Sequence, residues 1–177
     1  ARAFPRVDTP PGLWMLGSSE DSASLAALTG LPYNFAYFIN PQIRPDIFDY
    51  YRSHFKPGPN WEEPHSALTL FTVCAETEKE ALELSKSRDL WFIRLLSGNP
   101  GPFPSVEEAM DYDYSAGEIR AIEDNRDRRA VGTPEQVCEK LESYVKQFDL
   151  DEVMILTITH DADARRHSYE LLSSAWQ

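Results

Sequence analysis

Three serines, Ser18, Ser19 and Ser22, follow a short apolar run, Leu13-Trp14-Met15-Leu16, at the start of a helix-forming stretch from about Glu20 to Thr29. The first N–H groups of a helix lack intrahelical partners and carry the positive end of its dipole. Hydroxyls set beside them make a cradle for a phosphate group. The same pattern also fits a plain helix cap at Ser19, and both readings stand at this point. Glu20 and Asp21 come next. Unless they point outward, each opposes a phosphate dianion by about 1 kcal/mol at ~4 Å in water-like surroundings.

A second candidate is His160-Asp161, directly after the apolar run Glu152 to Thr159. An imidazole beside a carboxylate suits general acid–base chemistry. Asp161 equally suits a cap for the helix that follows, which would leave His160 in a solvated loop. His54, His65 and His167 have no mutual spacing that fits a metal site. Arg165-Arg166 and Arg126-Asp127-Arg128-Arg129 read as solvated faces, although Arg128 or Arg129 could fold over an anionic cofactor. No Gly-rich dinucleotide motif, Walker loop, GxSxG elbow or zinc pattern occurs.

The elements that must position these groups follow from the hydrophobic pattern. A strand at Leu13–Leu16 leads into the helix Glu20–Thr29, which Gly30 and Pro32 stop. A second strand is expected at Tyr33–Ile39 and a helix at Asp46–Phe55. Ala67–Ala75 is apolar on both alternations, as in a parallel strand buried on both faces. A long helix then runs from Thr77, with Glu80 at capping-box spacing, to about Ser97. Residues 98–130 are rich in Gly and Pro at their start and read as a lid, a binding loop or a partly disordered piece, with short helices at 106–110 and 115–125. Thr133-Pro134 opens another helix, to Phe148. A strand at Glu152–Thr159 and a helix at Asp161–Ala175 close the chain. Four strand–helix alternations predict an α/β fold of parallel strands with right-handed crossovers. Residues 1–11 read as a linker, and 12–177 as one domain.

Composition narrows the partners. The 177 residues are 42% hydrophobic and 26% charged, which fits a soluble globular domain. A net charge of −12 without a basic patch argues against nucleic acid and against an anionic membrane surface. No run approaches the ~20 apolar residues of a membrane helix. Cys74 and Cys138 read as two buried thiols, so a reducing, cytoplasmic location is expected.

The stretches LGSSEDSASLAALTGLPYNFAYFINP, TLFTVCAETEKEAL, RAVGTPEQVCEKLES and DEVMILTITHDADARRHSYELL, in this order, resemble the bacterial luciferase-like flavin monooxygenases. The resemblance implies a (β/α)8 TIM barrel of roughly twice this length, of which the chain would be four parallel βα units, the fifth to eighth. It implies reduced FMN as cofactor, or a deazaflavin in its place, with oxygen and a small organic substrate. It also implies that the flavin phosphate sits at Ser18, Ser19 and Ser22 and that Tyr37 lies near the flavin ring. Residues 98–130 would be the family's lid. His160 would stand at the rim where barrel active sites gather, while the family's flavin-side histidine and cysteine belong to the first half. A half-barrel has open strand edges, so a homo-oligomer or a missing N-terminal half is expected. The alternative is a non-catalytic half-barrel, flavin- or phosphate-binding or structural, that associates with itself or with a missing N-terminal half.

Overall fold

The computed structural model describes residues 11–40 and 42–176, so the expected linker lies, apart from Pro11, outside the described residues. Five parallel strands form one sheet: β1 (Met15–Gly17), β2 (Tyr33–Ala36), β3 (Ser66–Cys74), β4 (Arg129–Gly132) and β5 (Glu152–Leu156). The helices are α1 (Glu20–Thr29), α2 (Ile47–His54), α3 (Glu78–Leu96), α4 (Val106–Asp111), α5 (Ala116–Asp124), α6 (Pro134–Phe148) and α7 (Ala162–Ala175). Local chemistry sets their starts. Ser19, Thr77, Ser105, Ser115, Thr133 and Asp161 each accept a hydrogen bond from the third residue of the helix they precede. Gly30 ends α1 in the left-handed region at φ 65°. A Cβ on Gly30 would stand 2.5 Å from the Gly58 nitrogen, so only glycine fits where the two loops cross.

The register defines the order. β2 runs beside β1 and then beside the first part of β3, with Thr69 opposite Ala36. Thr69 also pairs with Met154, so β5 lies on the other edge of β3. Phe71 pairs with both Arg129 and Leu156. β4 therefore continues the β2 edge, facing the last residues of β3. A chain that crosses back toward β2 must use the opposite face of the sheet if the crossover stays right-handed. That is where α3 lies: the Arg88 guanidinium sits 4.3 Å from the centre of the Phe71 ring. The other face carries the main core, in which Ala23, Ala26 and Ala27 of α1, Phe48 and Tyr51 of α2 and Leu141 and Phe148 of α6 pack on Tyr33, Phe35, Leu68 and Leu70.

Three expectations are corrected in detail. There are five strands, because Arg129–Gly132 pairs with β3; this strand is four residues long and its first residue is charged. β2 stops at Ala36, whose carbonyl accepts from both Ile39 and Asn40 and turns the chain. β5 stops at Leu156, because the next amide, that of Thr157, donates to the Tyr169 hydroxyl. The segment 98–130 holds α4 and α5, and the Arg94–Glu108 ion pair docks α4 on α3. Among the described residues no helix is long and apolar enough to cross a membrane.

Candidate functional site

A cleft of ≈ 410 Å³ opens at the start of α1, between the β1–α1 turn and the loop after β2. Ser18, Ser19, Glu20 and Asp21 form one side, and Asn40, Gln42 and Arg44 the other. The Asn40 side-chain amide donates to the Ser18 carbonyl at 3.0 Å and ties the two sides together. The amides of Glu20 and Asp21, in the first turn, have no partner among the described residues. Arg44 answers the repulsion expected from Glu20. Its guanidinium pairs with Glu20 and, through two nitrogens, with Asp46 at 2.6 and 3.0 Å. These two carboxylates raise the Arg44 pKa and keep the guanidinium charged.

The structure brings Ser18 and Ser19 to this cleft and turns Ser22 away from it. The Ser22 hydroxyl donates to the Ser19 carbonyl at 2.6 Å and accepts from the Ser19 amide at 3.2 Å. It lies 3.3 Å from the Tyr33 hydroxyl under the helix. A Cβ on Gly17 would overlap it, which explains the glycine before the serines. Burial pushes the Tyr33 phenol up to about 12, so it stays a proton donor beneath the turn.

Tyr37 also lies outside the cleft. It is 8% exposed and its ring meets that of Tyr144 on α6 edge-on at 5.6 Å, within the main core. The aromatic on the opposite face is Phe38, 5.7 Å from Phe71. That inner face also holds a polar relay, in which Thr69 donates to Asn34 at 2.8 Å and the Asn34 amide meets the Met154 sulfur at 2.8 Å. His160 sits exposed in the loop after β5, and Asp161 is occupied as the cap of α7, accepting from the Ala164 amide at 2.7 Å. No acid–base pair forms there.

A buried charge cluster under α3 was not legible in the sequence. Arg129 of β4 forms a two-point ion pair with Asp89, both at least nine-tenths buried. Arg88 is 4% exposed, and its Nε and one terminal nitrogen make no hydrogen bond among the described residues, the Asp89 carboxylate standing 3.9 Å from that terminal nitrogen. Burial first, and Arg129 second, bring its pKa down to about 10.

A parallel sheet of alternating βα units, with a cleft at the first helix N-terminus, is an α/β fold consistent with the TIM-barrel type. The chain belongs to the luciferase-like monooxygenase family, whose model matches residues 1–150. It is 40% identical over 178 residues to the uncharacterized protein YwcH of Bacillus subtilis, covering 98% of this chain and 53% of that protein. It is 33% identical over 173 residues to a luciferase-like monooxygenase of Escherichia coli, covering 94% and 52%. Among solved structures, apo-MsnO8 superposes with a TM-score of 0.83 at 32% identity, over 97% of this chain and 52% of that one. The oxygenating constituent of 3,6-diketocamphane monooxygenase of Pseudomonas putida, solved with FMN, shares the fold at a TM-score of 0.56 and 18% identity, over 90% and 46%. The chain spans about half the length of these relatives.

Proposed function

We propose that these residues are the C-terminal half of a flavin-dependent monooxygenase barrel, with β1, β2, β3 and β5 as its fifth to eighth strands. The whole would use reduced FMN and oxygen on a small organic substrate, with the flavin phosphate at the Ser18–Ser19 turn. The observation that carries this reading is the cleft itself. Glu20 and Asp21, whose amides have no partner among the described residues, line it at a helix N-terminus, two serines border it, and Arg44 pairs with Glu20 on its wall. When bound, the flavin supplies the oxygen chemistry. The residues of this chain bind and orient it. The Glu20 and Asp21 amides and the Ser18 and Ser19 hydroxyls would hold the phosphate, with Arg44 shared between it and the two carboxylates. Phe38, Phe71 and the Asn34–Thr69 pair would wall off water at the inner face. Tyr37 would act through the packing of the turn after β2, and Ser22 through the cap.

The exposed flank of β1, with Leu13 61% and Leu16 55% exposed, and the unpaired edge of β5 would be covered by the first half of the barrel or by a second copy. A second reading, a flavin-binding half-barrel without turnover, is favoured by one observation: His160 is exposed and has no acid–base partner among the described residues.

The test compares FMN with riboflavin, which lacks the phosphate. FMN should bind the protein saturably and more tightly than riboflavin, as read by flavin fluorescence. Ser18→Asp, which sets an anion at the turn, should remove that difference and leave riboflavin unchanged. Equal binding of the two flavins by the parent protein would overturn the phosphate assignment. Oxygen uptake with reduced FMN separates the readings, since binding without uptake selects the second.

A further inference from the structure

A second cleft lies at the free edge of β4, between α3 and α6. It encloses ≈ 380 Å³ and is lined by Lys86, Arg126, Arg129 and Lys140, with Asp89 the acid on its wall. This charge is unusual in a chain of net −12. Asp89 is spent on Arg129. Lys86, Arg126 and Lys140 make no ion pair or side-chain hydrogen bond among the described residues. The floor is built rather than incidental, with Ser85 3%, Asp89 8% and Arg129 5% exposed. Behind the same wall of Ser85, Arg129 and Val131 lies Arg88, buried, with two donor nitrogens that make no hydrogen bond among the described residues. Burial holds the Lys140 pKa below its ordinary value, and an acceptor anion would reverse that cost.

The cleft continues, past Lys86, Asp89 and Arg126, into a neighbour of ≈ 260 Å³ whose character is different. Met110, Tyr114, Ile119 and Ile122 line it, with Glu123 at its margin. Burial pushes the Tyr114 phenol up to about 12, so it is a neutral donor. Cationic and apolar chambers that share a wall fit one ligand with an anionic head and an apolar body, and the two together are of a size with small-molecule sites.

We propose that this paired cleft, formed by α3, α4, α5, β4 and α6, binds a small phosphate monoester with an apolar or aromatic body. Three cations without an ion pair or side-chain hydrogen bond among the described residues suit a dianion better than a monoanion. Lys86, Arg126 and Lys140 take the phosphate, and Arg129, fixed by Asp89, shapes the floor. The apolar chamber takes the ester group. The site shares no lining residue with the Ser18–Ser19 cleft and does not depend on the flavin assignment.

The test uses phenyl phosphate as the probe and amide chemical shifts of the isotope-labelled protein as the readout. Saturable shifts are expected at Ser85, Lys86, Arg126 and Lys140. Lys140→Gln and Arg126→Gln should each weaken binding roughly tenfold, the effect of losing one charge-assisted hydrogen bond. Inorganic phosphate should shift the same amides but bind roughly tenfold more weakly, because it leaves the apolar chamber empty. Shifts confined to Ser18–Asp21, no saturation at the cationic cleft, or unchanged affinity in both variants would overturn the proposal. Equal affinity for inorganic and phenyl phosphate would overturn its apolar half.

Discussion

Replacing Asp89 by Asn keeps the shape of the side chain and removes its charge. In the folded protein that leaves Arg129 and Arg88 buried together with no counter-ion. Arg88 stands 3.9 Å from the Asp89 carboxylate, a separation worth ~4 kcal/mol per unit-charge pair at an effective dielectric of 20. Breaking a buried pair by deleting one partner costs about 3–5 kcal/mol, since the remaining charge stays desolvated. For a chain of this size each kcal/mol moves the melting temperature by about 2–4 °C, so Asp89→Asn should melt roughly 10 °C lower. Arg88→Met tests the other side of the argument. It removes a guanidinium that is short of partners and repelled by Arg129, and puts an unbranched apolar chain over Phe71. It should stay within about 1 kcal/mol of the parent, and it should recover part of the loss when combined with Asp89→Asn. Thermal and urea unfolding followed by circular dichroism provide the values. The reasoning fails if Asp89→Asn costs less than about 1 kcal/mol, or if Arg88→Met costs as much as Asp89→Asn.

Gly30→Ala should cost at least about 2 kcal/mol in urea unfolding: the left-handed backbone alone costs an L-residue ~1–2 kcal/mol, and the new Cβ meets Gly58 backbone at 2.5 Å. Gly98→Ala is the control, since it shares the positive φ but has open space around it, and should cost only the backbone part. Stability should also fall on the alkaline side. Burial raises Cys74 from 9.0 to about 11 and Tyr33 from 10.0 to about 12, so the folded state holds these protons longer than the unfolded chain. Their contribution is full below pH 9 and is lost as pH rises through 11 and 12, on the order of 1–2 kcal/mol for Tyr33 after screening. Urea midpoints between pH 8 and 11 check this, and Tyr33→Phe should flatten the upper part of the curve.

What the sequence disclosed and what it hid divide along the range of the interactions. Thr77, Thr133 and Asp161 were readable as caps because each bonds an amide three residues away. The Gly30 stop and the double-sided burial of β3 are local in the same sense. Arg44 was unreadable as the partner of Glu20, since the two stand 24 positions apart and meet only when β2 folds beside β1. β4 was missed for a related reason. A four-residue strand beginning with arginine looks like a solvated loop until Asp89, 40 positions earlier, accounts for the charge. Ser22 and Tyr37 carried the right residue types for a binding cleft. Their side chains nevertheless face the core side of the sheet, and that choice is made by packing against Tyr33 and Tyr144.

The position of α3 ties the two clefts to one topological event. α1, α2 and α6 carry the chain across one face of the sheet, as repeated crossovers in one direction require. After β3 the chain instead steps back to the β2 edge, so the same handedness sends α3 to the inner face. From that face α3 can dock α4 and α5 and bring Arg88 and Asp89 beside Arg129. β4 then ends the sheet along an edge that no strand among the described residues covers, and the cationic cleft opens at that edge. The reversal therefore couples segment 98–128 to β3. A change that loosens Asp89–Arg129 should loosen α4 and α5 as well, while the Ser18–Ser19 cleft, built on β1, α1 and the loop after β2, keeps its shape. Amide exchange on Asp89→Asn would reveal this as lost protection in α4, α5 and β4 with α1 unchanged. Uniform loss across all of them would mean that the inserted segment and the sheet unfold as one unit.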